Sequence, residues 1–519
     1  MLFNSFEFFL FLPTVFALYW FVFNRNLTLQ NALILVASYF FYGWWSWQFM
    51  CLLMLSTLLD YSYGFAVAST NKRKAKLFLW LSILNNLGVL GIFKYYNFFA
   101  DQFKVAFAQV GIHIHPAILA VALPVGISFY TFHGMSYVFD IYRGYQKPVK
   151  NFVEYAVFVA FFPLLVAGPI ERANHLLPQV QRKRFFDYMQ AVEGCRLILW
   201  GLFKKVVIAD NLSVIVDQIF NNYSNQNGIT LIVGALAFSF QIYGDFSGYS
   251  DIALGTAKLF GFELLSNFKF PYFSRNIAEF WKRWHISLSS WFRDYLYIPL
   301  GGSKRGAWYS IRNTFIIFLV SGFWHGASWN FVVWGFLHAC AFMPLLLLGR
   351  NKTFVHSTVA ENTLLPSLKE FMQMTITFIF VTFAWIFFRS PDLTSSFGYC
   401  KRILTSLIES PKQLLHIPHF FELGILLLPL LLVDWWFRRD ERKLKMPSNR
   451  IVRILLYFIV VLLVLGIFGQ RGFIYLLSIL VHEKVYKGNK LVYNSGNHFV
   501  VYSGIFITSD TESIQEKEE

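Results

Sequence analysis

The sequence predicts an all-α protein, a polytopic integral membrane helix bundle, and three observations carry that prediction. Of its 519 residues, 56% are hydrophobic and only 14% charged, against about 25% charged in soluble domains. Apolar runs of roughly 17–25 residues, the length a helix needs to cross a bilayer, recur through most of the chain. Between them, basic residues collect in short loops at alternate ends, the asymmetry that orients membrane helices.

Taken in order, crossings are predicted at 8–23, 31–46, 48–68, 77–98, 117–141, 313–329, 330–348, 370–388, 419–437 and 451–469. The opening MLFNSFEF has no basic cluster and no small-residue cleavage pattern follows it, so 8–23 reads as a retained first helix. The stretches 153–169, 193–219 and 230–260 are apolar but interrupted by Gly, Pro and charge. They read as re-entrant, tilted or interfacial pieces, tolerated at membrane depth where protein or a watery cavity covers them.

Arg25, NKRKAK (71–76), YRGYQKPVK (142–150), GRNK (349–352) and RRDERKLK (438–445) fall on one side if each of the first five segments crosses once. That side is expected to be cytoplasmic, with the N-terminus outside. The formal net charge of +16 then serves topology and contact with anionic membrane lipid, and no nucleic-acid partner is expected. Cys51, Cys195, Cys340 and Cys400 are scattered without metal or disulfide spacing and read as small hydrophobes. There is no phosphate-binding glycine loop, which argues against an ATP-driven pump, and no internal repeat of the kind many transporters carry.

Three polar segments interrupt this pattern. The stretch PYFSRNIAEFWKRWHISLSSWFRDYLYIPLGGS (271–303) mixes Arg275, Lys282, Arg283, His285, Arg293 and Asp294 with Trp281, Trp284 and Trp291. At helical spacing the three tryptophans can share a side. The segment reads either as an interfacial helix at headgroup level or as the lining for an anionic donor, gripped by arginine. QIYGDFSGYSDIA (241–253) sets Asp245, Ser247, Ser250 and Asp251 directly after an apolar run. Such groups face a cavity or a partner, or form a membrane-edge turn with Asp as a cap. In FFPLLVAGPIERA (161–173), Pro163, Gly168 and Pro169 break an apolar run before Glu171 and Arg172, the mark of a broken helix around a cavity.

SGFWHGASWNFVVWGFLHA (321–339) places two imidazoles in apolar surroundings. His338 reads as structural. His325 is followed by Gly326, Ala327 and Ser328, which leave space beside its ring. A neutral imidazole there can take a proton from a hydroxyl. No HxxxH, HExxH or Cys/His cluster accompanies it, so a metal reading is weak.

FWKRWHISLSSWFRDYLYIPLGG (280–302), SGFWHGASWNFVVWGFLHA and QIYGDFSGYSDIA, together with LPVGISFYTFHGMSYVFDIYRG (123–144) and FFPLLVAGPIERA, resemble the membrane-bound O-acyltransferases. The likeness is to the bacterial branch that modifies alginate and teichoic acids, and it spans residues 1–475; the family domain is assigned to 1–480 and a polar tail to 481–519. It implies about eleven membrane helices plus re-entrant and interfacial ones around a central polar tunnel. By position in the motifs, His325 matches the family's invariant histidine and His285 the second polar position. Trp281, Arg283, Trp284, Arg293 and Asp294 match the surrounding signature, and Gln241, Asp245 and Ser247 are candidate tunnel-lining residues.

The charge topology puts His325 in the outer half of the membrane, where it could meet a hydroxyl while the basic 275–293 stretch meets a donor from inside. The resemblance therefore implies a transferase of the bacterial inner membrane that holds no permanent cofactor. Its donor would be acetyl-CoA or an acyl-carrier thioester, and its final acceptor an extracytoplasmic polysaccharide. The resemblance also implies an extracytoplasmic partner of SGNH type, and this chain has no GxSxG elbow and no long soluble insertion to do that work itself. The rival expectation is a polysaccharide or lipid-linked sugar transporter without acyl chemistry, which would also explain intramembrane Asp and Arg. The tail after His482 ends acidic; alternation around 491–507 suits a short hairpin or disorder.

Overall fold

The structure, a computed structural model, describes residues 1–119, 123–354, 357–409, 418–442, 444, 446–466, 499–502 and 505–508. The predicted crossings appear as helices, several with a polar cap at the start. They begin with α1 (Phe6–Ala17), α2 (Leu27–Gly43) and α3 (Trp47–Val67). Asn26 accepts from the backbone of Thr28 and Leu29, and Ser46 from Phe49, satisfying donors that the first turn leaves unpaired. α4 (Lys72–Leu90) runs through a π turn at Gly91–Tyr95 into α5 (Tyr96–Gln109), making a 38-residue rod.

α6 (Ile127–Tyr142) starts after the left-handed Gly126, so the predicted 117–141 crossing is shortened at its front. A Cβ at Gly126 would sit 2.0 Å from the Leu165 carbonyl oxygen. That oxygen belongs to the predicted broken helix. α7 (Phe152–Ala160) stops at Phe161, a single turn α8 (Phe162–Leu165) follows, and 166–172 is irregular. Every residue from Tyr155 to Glu171 is buried. Irregular backbone at membrane depth is stable only when its polar groups find partners. Here Phe162 N–H donates to Ser38 Oγ (3.0 Å), the Ala167 carbonyl accepts from Ser250 Oγ (3.3 Å), and Ile170 N–H donates to Ser287 Oγ (3.0 Å).

After α9 (Ala173–Gln181), α10 (Tyr188–Leu202) passes through a π segment (Phe203–Ala209) into α11 (Asp210–Asn221), and α12 (Gly228–Leu259) returns. The expectation of an interrupted piece at 230–260 is corrected: α12 is continuous for 32 residues and buried along nearly its whole length. Its glycines do not break it because they serve close packing. A Cβ at Gly255 would lie 2.4 Å from the Gly194 oxygen, and one at Gly201 would lie 2.5 Å from the Gly248 oxygen. The two backbones are therefore in contact, the small-residue packing that substitutes for hydrophobic drive inside a membrane. The acids of α12 are neutralised from the same neighbour. Lys204 Nζ lies 2.6 Å from Asp251 and 2.9 Å from Ser247 Oγ, and Lys205 pairs with Asp245 and with Asp210 (2.9 Å). The widened π turn lets these consecutive and buried lysines both face acids of the neighbouring helices.

α13 (Ile277–Arg283), α14 (Ile286–Phe292), α15 (Ala307–His325), α16 (Trp329–Leu347), α17 (Leu368–Arg389), α18 (Leu393–Glu409), α19 (Phe420–Phe437) and a helix α20 at 450–466 complete the described bundle. Among the described residues, five helices are long and apolar enough to cross a membrane: α3, the α4–α5 rod, α12, α16 and α17. Apolar side chains such as Phe6 of α1, Val36 of α2, Leu84 of the α4–α5 rod, Ile379 of α17 and Ile425 of α19 point outward from the bundle, as lipid-facing positions should. The chain is a multi-pass membrane protein. In the tail, β1 (Phe499–Tyr502) pairs antiparallel with β2 (Ile505–Thr508); residues 467–469 of the last predicted crossing lie outside the described residues.

Candidate active site

The 271–303 segment is two short helices rather than one. Trp284 is extended (φ −102°, ψ 127°) and His285 is left-handed (φ 41°, ψ 55°), so α13 and α14 part at the histidine. The expected tryptophan side therefore ends at Trp284. The break is held by an irregular strand running alongside. Lys269 N–H donates to the Arg283 carbonyl and Ile286 N–H to the Asn267 carbonyl, both at 2.9 Å. Asn267 also accepts from Ser287 Oγ (2.6 Å) and donates to Ser250 Oγ (3.1 Å). His285 is thereby fixed between α12 and the broken helix, its ring edge-on to Phe246 at 4.6 Å. Its Nδ1 has no hydrogen-bond partner among the described residues.

His325 is the last residue of α15. The α15–α16 pair is set by glycines: a Cβ at Gly322 would lie 2.1 Å from the Phe331 oxygen, and one at Gly335 2.2 Å from the Phe318 oxygen. That close approach brings Trp334 to 5.3 Å from the His325 ring, with Phe388 at 5.4 Å. His285 and His325 wall the same small cavity, of about 10 Å³, completed by Ser128, Phe132, Ile170 and Trp324. The space is the size of one water. Both rings are almost wholly buried.

A second cavity of about 230 Å³ adjoins these elements on the side of the basic loops. Trp281, Ser289, Arg293, Phe318, Ser321 and Asn351 are among its walls. Ser321 lies one helical turn before His325, and Ser289 one turn after His285. Helices α14 and α15 thus border both spaces. Trp281 Nε1–H donates to His338 Nδ1 (3.3 Å), and the His338 ring lies near-parallel to Phe280 and Phe318. That is a packed, oriented ring away from the cavity of His285 and His325.

The remaining candidates are dispersed. Arg293 and Trp281 line the larger cavity; Asp294 is not among its walls and pairs with Arg293 (2.7 Å) and Arg172 (3.6 Å). Trp284 is buried against Phe280 and Trp385. Arg283 shares Glu279 with Arg275, which also reaches Glu370, so its guanidinium braces α13 instead of lining either cavity. Asp245 and Ser247 also line neither; they belong to the lysine network described above. Gln241 is buried, and its Oε1 has no partner among the described residues.

Sequence reasoning missed Lys94 and Tyr95. Half-buried Lys94 donates from Nζ to the Trp324 carbonyl and lies over the Trp324 ring at 5.5 Å; Tyr95 Oη donates to the Phe323 carbonyl (3.1 Å). These are the orphan carbonyls at the C-terminal end of α15, where a cation is favoured. The available signal was a single lysine inside the apolar run 77–98 with no acid within a helical turn.

The likeness noted in the sequence extends to whole-chain comparison. A family model for the membrane-bound O-acyltransferases matches residues 44–386, which includes both histidines. The probable alginate O-acetylase of Pseudomonas putida is 40% identical over 388 residues, 74% of this chain and 76% of that protein. The peptidoglycan O-acetyltransferase of Helicobacter pylori is 35% identical over 422 residues, 76% and 77% of the two chains. The teichoic acid D-alanyltransferase of Bacillus subtilis is 27% identical over 277 residues, 51% and 68%. With a membrane bundle, a family match across two cavity-facing histidines, and relatives named for acyl transfer, this chain belongs to the membrane-bound O-acyltransferase family.

Proposed function

We propose that the protein moves an acetyl group from a thioester donor, acetyl-CoA or an acyl carrier, entering on the cytoplasmic side, toward O-acetylation of an extracytoplasmic polysaccharide. The observation that carries this reading is the meeting of His325 and His285 across one buried cavity, from segments forty residues apart in sequence, beside a larger cavity that faces the basic loops. The larger cavity has an arginine at its mouth and apolar walls, which suit a slender thioester arm with an anionic tail.

His325 accepts the proton of an acceptor hydroxyl as the oxygen attacks the thioester carbonyl. The tetrahedral intermediate collapses with cleavage of the carbon–sulfur bond. The thiolate recovers the proton from the imidazolium, leaving ester and free thiol. His285 positions and polarises the reacting carbonyl across the cavity. The alginate and peptidoglycan names of the relatives support a glycan as the final acceptor, reached through an extracytoplasmic SGNH-type partner.

The test measures ester-linked acetyl on the exopolysaccharide in a deletion strain complemented with the wild type or with His325→Ala. Complementation by the wild type alone, at equal protein levels, is the expected result. Normal acetylation by His325→Ala would end the histidine-base reading. Unchanged acetyl content with lost polymer export in the deletion strain would favour the transporter reading.

A further inference from the structure

Away from the histidines, the basic face carries a cavity of about 520 Å³ between the end of the first helix and the 182–189 segment. Its lining includes Arg25, Lys183 and Arg184 and no carboxylate. Arg184 is committed inward: it donates to Tyr19 and Asn31 and to the Gln179 and Val180 carbonyls, anchoring the loop that carries its neighbours. Arg25 and Lys183 are exposed.

The same loop turns its aromatic residues outward. Phe185 is 73% exposed and Tyr188 70%, while Phe186 packs edge-on against Trp20 (5.5 Å) and Phe16 (6.1 Å). Phe186 is shared with an adjoining, mostly apolar groove of about 330 Å³. That groove runs up α10 along Tyr188, Val192, Cys195 and Leu199, at helical spacing, and is closed by Tyr457 of α20. Arg196 Nε donates to the Tyr457 hydroxyl (2.8 Å), tying its two walls together.

A cationic cavity beside the Arg25 turn that adjoins an apolar groove running along α10 has the chemical order of a phospholipid. We propose that it binds one anionic phospholipid, with the phosphate between Arg25 and Lys183 and an acyl chain along α10. The charge complementarity selects an anionic headgroup over a zwitterionic one, and the apolar groove selects a lipid over a free phosphate ester. This inference does not depend on the acyl-transfer reading.

The experiment is a native mass-spectrometry titration of the detergent-purified full chain. Ligands are phosphatidylglycerol, phosphatidylcholine and, as a headgroup without chains, glycerophosphoglycerol. One phosphatidylglycerol is expected to be retained in preference to the other two. Each surface cation contributes about fivefold in affinity, so Arg25→Gln or Lys183→Gln should weaken it about fivefold and the pair ~30-fold. The control Lys72→Gln/Lys76→Gln removes two charges elsewhere on the basic face and should leave retention unchanged. Equal retention of phosphatidylcholine, equal binding of glycerophosphoglycerol, or an equal loss in the control would each overturn the proposal.

Discussion

Lys94→Met tests how the candidate base is held. The substitution keeps the length of the side chain and its cover over Trp324 while deleting the ammonium that donates to the Trp324 carbonyl. A hydrogen bond from a charged donor contributes about 1.5–3 kcal/mol net. Here it fixes the residue next to His325, at a helix end where the remaining carbonyls need partners. If that contact sets the imidazole's aim, its loss should lower transfer by roughly ten- to a hundredfold, within the range that about 1 Å of misplacement costs. Lys94→Arg restores a cationic donor and should recover most of the activity. Tyr95→Phe removes the weaker Phe323 contact and should cost about fivefold. The assay is acetyl transfer by reconstituted protein, with kcat and KM separated and thermal unfolding followed in parallel. A kcat within twofold of wild type for Lys94→Met, or no recovery in Lys94→Arg at equal stability, would refute the positioning argument.

Two further outcomes follow from the packing. Gly248→Leu drives a side chain into the Gly201 carbonyl, where a Cβ alone would approach to 2.8 Å, and should abolish folded yield on size-exclusion chromatography. Lys205→Met leaves buried Asp245 and half-buried Asp210 without their shared cation and should cost about 3–5 kcal/mol of stability; adding Asp245→Asn should return part of the lost thermal stability.

The membrane bundle was legible because hydropathy and basic loops report directly on the bilayer, and the FFPLLVAGPIERA break was legible because proline and glycine punctuate locally. The continuity of α12 was not. Gly244, Gly248, Asp245 and Asp251 look like interruptions until α10 and the π turn supply a backbone to touch and two lysines to pair. The split at His285 was equally hidden, since WKRWHISLSS contains neither Gly nor Pro and the break is imposed by Asn267 and its neighbours. Within the candidate site, the motif resemblance singled out both histidines. It grouped Arg283 with them although Glu279 takes that guanidinium, because motif membership does not distinguish a brace from a wall. Lys94 has no local partner to give it away; its contact is 230 positions along the chain.

The left-handed backbone of His285 sets two selective pressures against each other at one position. A residue with a Cβ held at φ 41° costs roughly 1–2 kcal/mol relative to a relaxed conformation, a cost glycine escapes and asparagine softens. Asparagine, which tolerates this backbone and fills part of the imidazole's space, should therefore fold more stably here than other side chains of its size, while activity is expected to favour histidine. The imidazole is retained there in opposition to the backbone's own preference, so thermostability screening alone would discard it.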